Sequence, residues 1–215
     1  MFLGHFAIGF AAKRYAPRAP LGTLFLAAQF IDLLWPLLVL AGIERVRIAP
    51  GITVVTPLDF EHYPWSHSLL MVLVWGVLFA AVYFLIRRDR RASLVLGLAV
   101  VSHWVLDWLT HRPDLPLAPG AERVGLGLWN SFAGTVIVEL GLFALGVYLY
   151  VRATRARDRI GSWALWSLVA FLAAIYAGNL FGAPPPDVMA IAWVGQAQWL
   201  LVAWGYWIDR HRVAA

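Results

Sequence analysis

His103, Asp107 and His111 stand four residues apart in VSHWVLDWLTHRPD, residues 101–114. Positions i and i+4 share one face of a helix, so the spacing predicts a single stripe of imidazole, carboxylate and imidazole. Two such groups one turn apart can chelate a divalent cation from one rigid element. Zinc accepts this donor set, commonly with three protein ligands and one position left for water, whose pKa it lowers toward ~7. The other reading of a lone His-x-x-x-Asp is a hydrogen-bonded packing pair, and the stripe alone leaves both open.

The stripe has company. His5, Asp32, His67 and Glu139 also fall in apolar surroundings. An ionisable group in hydrocarbon costs roughly 2.5–3.5 kcal/mol on insertion scales, so it usually faces a bundle interior and finds a partner. With a rise of ~1.5 Å per residue, His103 stands ~18 Å above Arg91, Asp107 ~24 Å, Asp32 ~21 Å above Arg18 and Glu139 ~20 Å above Arg152. His67 comes out at ~30 Å above Arg87 and His5 at ~12 Å above Lys13, one too high and one too low. The expected metal ligands are His5, Asp32, His67, His103 and Asp107. Asp107 or Glu139 is expected to take the proton from the reacting water, with His111 in a secondary role as relay or ligand. His62, Asp59 and Asp114 read as loop residues. Tyr176, Asn179, Gln196 and Gln198 read as packing groups, since polar amides commonly join membrane helices.

The elements that position these groups must be membrane helices. Of 215 residues 61% are hydrophobic and only 13% charged, with a mean hydropathy of +0.72; a soluble domain carries about a quarter charged residues. Six long apolar segments are expected at about 20–42, 66–86, 92–111, 130–151, 162–182 and 188–208, each near the ~20 residues that cross a hydrocarbon core. A short apolar helix, MFLGHFAIGFAAKRYAP, precedes them. Its basic residues follow the apolar part, the reverse of a secretory signal. The expected fold is therefore all-α, a polytopic bundle of six long transmembrane helices plus a short N-terminal helix. The chain reads as one membrane domain over 1–215, with the chemistry in 1–115 and supporting helices in 116–215. Pro36 is expected to kink the first long segment, and Ser66 to cap the helix that follows it.

Net charge is +5, but its placement excludes a nucleic-acid partner. Lys13, Arg14 and Arg18, then Arg87, Arg88, Arg90 and Arg91, then Arg152, Arg155, Arg157 and Arg159, then Arg210 and Arg212 each follow an apolar run. That is the positive-inside pattern. It places these loops and the C-terminus in the cytoplasm, and loops 43–65, 112–129 and 183–187 outside. There is no cysteine, so any metal is held by His, Asp or Glu.

In order along the chain, MFLGHFAIGF, QFIDLLWP, HYPWSHSLL and GLAVVSHWVLDWLT resemble the YdjM-like family of bacterial inner-membrane proteins, described as metal-dependent hydrolases. The resemblance covers about residues 1–115. The family's early His falls on His5, its acidic helix motif on Asp32, its His-Ser motif on His67 and Ser68, and its Ser-His-x-x-x-Asp motif on Ser102, His103 and Asp107. Leu34 stands where the family has a second Asp, and Tyr63-Pro64 where it has Arg-Gly. The resemblance implies a metal-dependent hydrolase with ligands among His5, Asp32, His67, His103 and Asp107. The expected reaction is hydrolysis of an ester or phosphoester, and site depth favours a membrane lipid or lipid-linked substrate. Zinc is the first choice of metal, with manganese or iron compatible with the donor set. A metal or proton transporter and a non-catalytic scaffold are the competing readings. The sequence sets no oligomeric state.

Overall fold

The computed structural model describes residues 1–215. The chain starts with α1 (Leu3–Ala12), then α2 (Leu21–Ala28) and α3 (Phe30–Leu40). A hairpin of β1 (Arg45–Ile48) and β2 (Leu58–His62) leads to a single turn, α4 (Pro64–His67). Two long antiparallel helices follow, α5 (Leu69–Arg87) and α6 (Arg90–Thr110). A small ladder of β3 (Leu115–Pro116) with β4 (Arg123–Val124) precedes α7 (Phe132–Ala153). Then come β5 (Thr154–Ala156), α8 (Arg159–Phe181), α9 (Val188–Gln196), α10 (Gln198–Arg210) and β6 (Arg212–Ala214).

The fold is all-α, with five helical segments long and apolar enough to cross a membrane and a sixth if α2 and α3 count as one bent span. The short α1 adds to these. Their ends follow the chemistry of the sequence: Ser68, Asp89, Ser131, Asp158 and Asp187 each accept a first-turn amide with their side chain, as N-cap residues do. Ser68, not Ser66, caps α5, because His67 closes a separate turn and Ser66 is bonded elsewhere. The loop expected at 43–65 holds the β1–β2 hairpin, braced by Arg47 bonded to both Asp59 and Glu61.

The first long segment breaks at a different place from the one expected. Its 56° bend falls at Gln29, where the backbone leaves the helical region with φ −100° and ψ 6°. Pro36 sits inside α3 without ending it. Proline removes the amide that would bond the Asp32 carbonyl. Gln198 Nε2 of α10 comes to 3.5 Å from that carbonyl, and Gln196 Nε2 to 3.3 Å from the next. The proline's cost is thus met from α9 and α10.

Packing is close where α1 enters. A Cβ placed on Gly146 of α7 would lie 2.5 Å from the Ala7 carbonyl oxygen, so α1 rests directly on the α7 backbone. Phe6, Phe10, Phe25, Phe143 and Tyr150 fill the core around it. At the end with the basic loops, Asp209 accepts Lys13 Nζ at 2.6 Å, the Leu21 amide at 2.7 Å and the Tyr150 hydroxyl at 3.0 Å. One carboxylate there ties α1, α2, α7 and α10 together. Exposed apolar side chains such as Val77, Ile86, Ile137 and Leu200 cover the outside, as hydrocarbon solvent allows.

Candidate metal centre

Four helices bring five donors together. His5 comes from α1, Asp32 from α3, His67 from α4, and His103 and Asp107 from α6. His5 Nε2 lies 3.1 Å from Asp107 Oδ1, and His103 Nε2 lies 3.2 Å from Asp107 Oδ2 and 3.5 Å from Asp32 Oδ1. His67 Nε2 lies 3.6 Å from Asp32 Oδ1 and 3.8 Å from Asp107 Oδ2. Two triads result, His5–His103–Asp107 and Asp32–His67–His103, sharing His103. Four of the five are buried, while the Asp32 side chain is 27% exposed and faces a cavity. The two depth outliers reach the site for separate reasons. His67 sits on a turn detached from α5, and α1 is anchored at the level of the other donors.

The surroundings turn the imidazoles toward the carboxylates. His103 Nδ1 donates to the Ala28 carbonyl at 3.0 Å, next to the Gln29 break. His67 Nδ1 is 2.7 Å from Ser66 Oγ, and Ser66 donates its single proton to Glu44 Oε2 at 2.6 Å. Ser66 Oγ therefore accepts from His67 Nδ1–H. Glu44 also accepts the amides of Trp65 and Ser66 at 2.8 and 2.9 Å. Both rings thus turn Nε2 toward Asp32 and Asp107, and in the neutral form each offers a lone pair there. A metal-ligating His characteristically has its other ring nitrogen held in this way.

In that neutral form lone pairs facing carboxylates repel unless something positive lies near, and the Met1 ammonium, 2.6 Å from Asp107 Oδ1, meets only part of that charge. His103 Nε2 is fully buried and makes no hydrogen bond despite its two carboxylate neighbours, and His5 Nδ1 has no partner either. Ligands ~2.0–2.1 Å from a tetrahedral zinc ion stand ~3.3 Å apart. The observed separations of 3.1, 3.2, 3.5, 3.6 and 3.8 Å bracket that value. These residues fit a divalent cation.

The remaining expected site residues lie elsewhere. Helix α6 ends at Thr110, and His111 is an extended C-cap with φ −64° and ψ 145°, so it leaves the stripe on which the spacing placed it. Its Nδ1 pairs with Asp114 Oδ1 at 2.9 Å. Glu139 accepts the amides of Phe2, Leu3 and Gly4 at 3.3, 2.6 and 3.3 Å, and so holds the N-terminus of α1. Met1 N donates to Asp107 Oδ1 at 2.6 Å. Asp59 and Asp114 are not isolated loop acids: both bind Arg112. Tyr63, one of the family departures, is fully buried and donates to Asp114 at 3.1 Å. Burial first, then the Asp114 charge, pushes its phenol well above the ordinary range, so it stays a donor. Pro64, the other departure, opens α4. His62 lies on β2 and is half-buried.

Glu44, Ser66 and the Ala28 carbonyl escaped the sequence reading. Glu44 sits among Arg45 and Arg47 and looks like a solvated loop acid, yet it is 1% exposed. No spacing rule points to it.

A cavity of about 680 Å³ adjoins the donors. Asp32, His67, Asp107, His111 and the Met1 terminus are its polar lining, and Pro36, Ile191, Val194, Leu201 and Trp204 belong to its apolar walls. A smaller cavity of about 430 Å³ shares Phe2, Thr56, Leu58, Trp129 and Asn179 with it and contains Glu139 and Tyr176.

A family model described as YdjM inner membrane protein matches residues 1–183, well past the motif-bearing part. No curated protein and no solved structure matches the chain.

Proposed function

The chain belongs to the YdjM inner membrane protein family, and from that premise we propose that it is a membrane-embedded, metal-dependent hydrolase of an ester or phosphoester in a lipid or lipid-linked substrate. The observation that carries the reading is the convergence of three imidazoles and two carboxylates from four helices, with the Nε2 atoms of His67 and His103 set against the carboxylates. His5, Asp32, His67, His103 and Asp107 hold the cation; zinc suits the donors best, and manganese or iron is compatible. When bound, the cation supplies Lewis acidity and lowers the pKa of a water.

The chain's own groups handle position and protons. Asp32, the most open ligand, borders the cavity where a scissile bond enters. His111 borders the same cavity, is oriented by Asp114 and makes no Nε2 hydrogen bond within the chain. It carries the proton from the attacking water to the leaving alkoxide, a task that imidazole suits near neutral pH. Water oxygen bonds to the acyl or phosphoryl centre, and the ester C–O or P–O bond breaks. Glu139 holds α1, and with it His5, at the site. The basic loops and the C-terminus lie on the cytoplasmic side by the positive-inside rule.

The test is release of ester products by protein in lipid vesicles with added zinc, compared with a His103→Ala, Asp107→Ala double variant. Zinc-dependent turnover that the variant lacks supports the hydrolase. Uptake of labelled metal into sealed vesicles with no hydrolysis overturns it in favour of a transporter.

A further inference from the structure

The basic end of the bundle carries more arginine than its acids can neutralise. Only Asp89, Asp158 and Asp209 share it with the four basic clusters, and each is already engaged. Asp89 caps α6 through the Ala92 amide. Asp209 takes Lys13, the Leu21 amide and the Tyr150 hydroxyl. Asp158 takes His211 Nδ1 at 2.8 Å and the Gly161 amide at 2.9 Å. Arg155, Arg157, Arg159 and Arg210 are exposed, and no acid pairs with any of them.

The backbone holds these four arginines at one junction. Strand β5 pairs with β6, with Arg155 opposite Val213, and the Arg157 amide bonds the His211 carbonyl at 2.9 Å. The Asp158–His211 bond brings Arg157 and Arg159, which flank one partner, close to Arg210, which precedes the other. Arg212 is buried and clamps the ladder to α8, donating to the Gly161 and Thr154 carbonyls at 3.0 and 3.2 Å. A Cβ on Gly161 would run into the His211 carbonyl, so the first turn of α8 rests directly on the chain entering β6. Tryptophan marks the same place. Trp163 and Trp166 follow Arg159 by four and seven residues, so the three share a face of α8, and the two indoles are 75% and 53% exposed. Trp207 precedes Arg210 by three residues on α10 and is also exposed. The other long basic corner, between α5 and α6, has four arginines but no tryptophan in residues 77–100.

We infer that this junction is a binding site for the headgroup phosphate of an acidic phospholipid, separate from the metal centre and independent of the proposed hydrolase. Indoles settle at the headgroup level of a bilayer, and an arginine stem lies along apolar surface while its guanidinium reaches out to the polar layer. A guanidinium grips phosphate oxygens bidentately. A zwitterionic headgroup carries its own cation beside the phosphate, so a lipid of net negative charge gains more from four unneutralised arginines.

Native mass spectrometry of the full-length protein released from detergent tests this, with dioleoylphosphatidylglycerol and dioleoylphosphatidylcholine titrated separately. The wild type is expected to hold phosphatidylglycerol about tenfold more tightly, two basic residues' worth at roughly fivefold each being more than enough. A variant with Arg155→Gln, Arg157→Gln, Arg159→Gln and Arg210→Gln should lose that preference. A variant with Arg87→Gln, Arg88→Gln, Arg90→Gln and Arg91→Gln loses the same charge and should keep it. Arg159→Gln alone should weaken phosphatidylglycerol about fivefold, the effect of one basic residue at an anionic surface, and tests the site if the quadruple variant does not fold. Equal retention of the two lipids by the wild type overturns the inference. So does an equal loss of preference in the two quadruple variants, which would mean a diffuse positive field. Displacement of phosphatidylglycerol by an equal concentration of inorganic phosphate also overturns it, in favour of a site for the free anion.

Discussion

The His5 and His103 rings lie face to face, with centroids 3.6 Å apart and planes 3° from parallel. Two imidazolium ions at 3.6 Å would repel by about 5 kcal/mol at an effective dielectric near 20. At least one ring is therefore neutral, the form in which histidine binds metal. The stack joins α1 to α6 at the point where both offer a donor. Asp107 supports it from one side, with Oδ1 toward His5 and Oδ2 toward His103.

The hydrogen-bond chain from His67 through Ser66 makes Glu44 a positioning residue. Glu44→Gln preserves shape and can still accept the Trp65 and Ser66 amides, but it puts an NH₂ opposite the Ser66 hydroxyl. Ser66 must then turn, and His67 loses the acceptor that fixes its tautomer. Zinc affinity should fall roughly 10–100-fold, as with other lost outer-sphere partners, measured by competition with a chelator. Unchanged affinity would show that His67 is not a ligand or needs no such support.

Glu139 offers a contrast. Its carboxylate collects the first amides of α1, where helix dipole and hydrogen bonding both favour a negative charge. Glu139→Gln should cost about 1–3 kcal/mol, within the range for hydrogen bonds to a charged group, read as a lower unfolding temperature in detergent. Zinc content in the folded fraction should hold. Full stability with lost turnover would instead assign Glu139 to the proton transfer.

Two glycines on α7 test the seating of α1. At Gly146 a methyl group meets the Ala7 backbone, while at Gly141 it meets nothing within 4 Å. Gly146→Ala should destabilise by about 1–3 kcal/mol, the usual range for overpacking, and displace His5. Gly141→Ala should be neutral or slightly stabilising, since alanine favours helix. Equal effects in thermal unfolding would contradict the contact.

Ser68→Ala removes the cap of α5 at Met71 N and should cost about 1 kcal/mol. Ser66→Ala should instead act on metal affinity through His67. If the two variants exchange these effects in unfolding and zinc titration, the assignment of the cap is wrong.

Much of this was legible in the sequence. Apolar runs bounded by arginines gave the long helices, and the five donors were recognisable as ionisable groups in hydrocarbon, where each needs a partner. The i, i+4 rule placed His103 and Asp107 correctly because both lie inside α6. It misplaced His111 because the helix ends one residue earlier; Pro113, which restricts Arg112, was the available signal. Gln29 carries no proline or glycine to announce a bend, whereas Pro36 announced one that Gln198 and Gln196 offset from distant helices. Glu44 was hidden for the same reason: its role depends on a hairpin folding back over α4, a tertiary relation that local pattern does not encode.

The most direct measurement is metal content. Protein purified after growth with zinc should carry it stoichiometrically by mass spectrometry. The His103→Ala, Asp107→Ala variant should carry almost none while keeping its helical circular dichroism. Equal metal in both proteins, or none in a folded wild type, would contradict the centre on which the account rests.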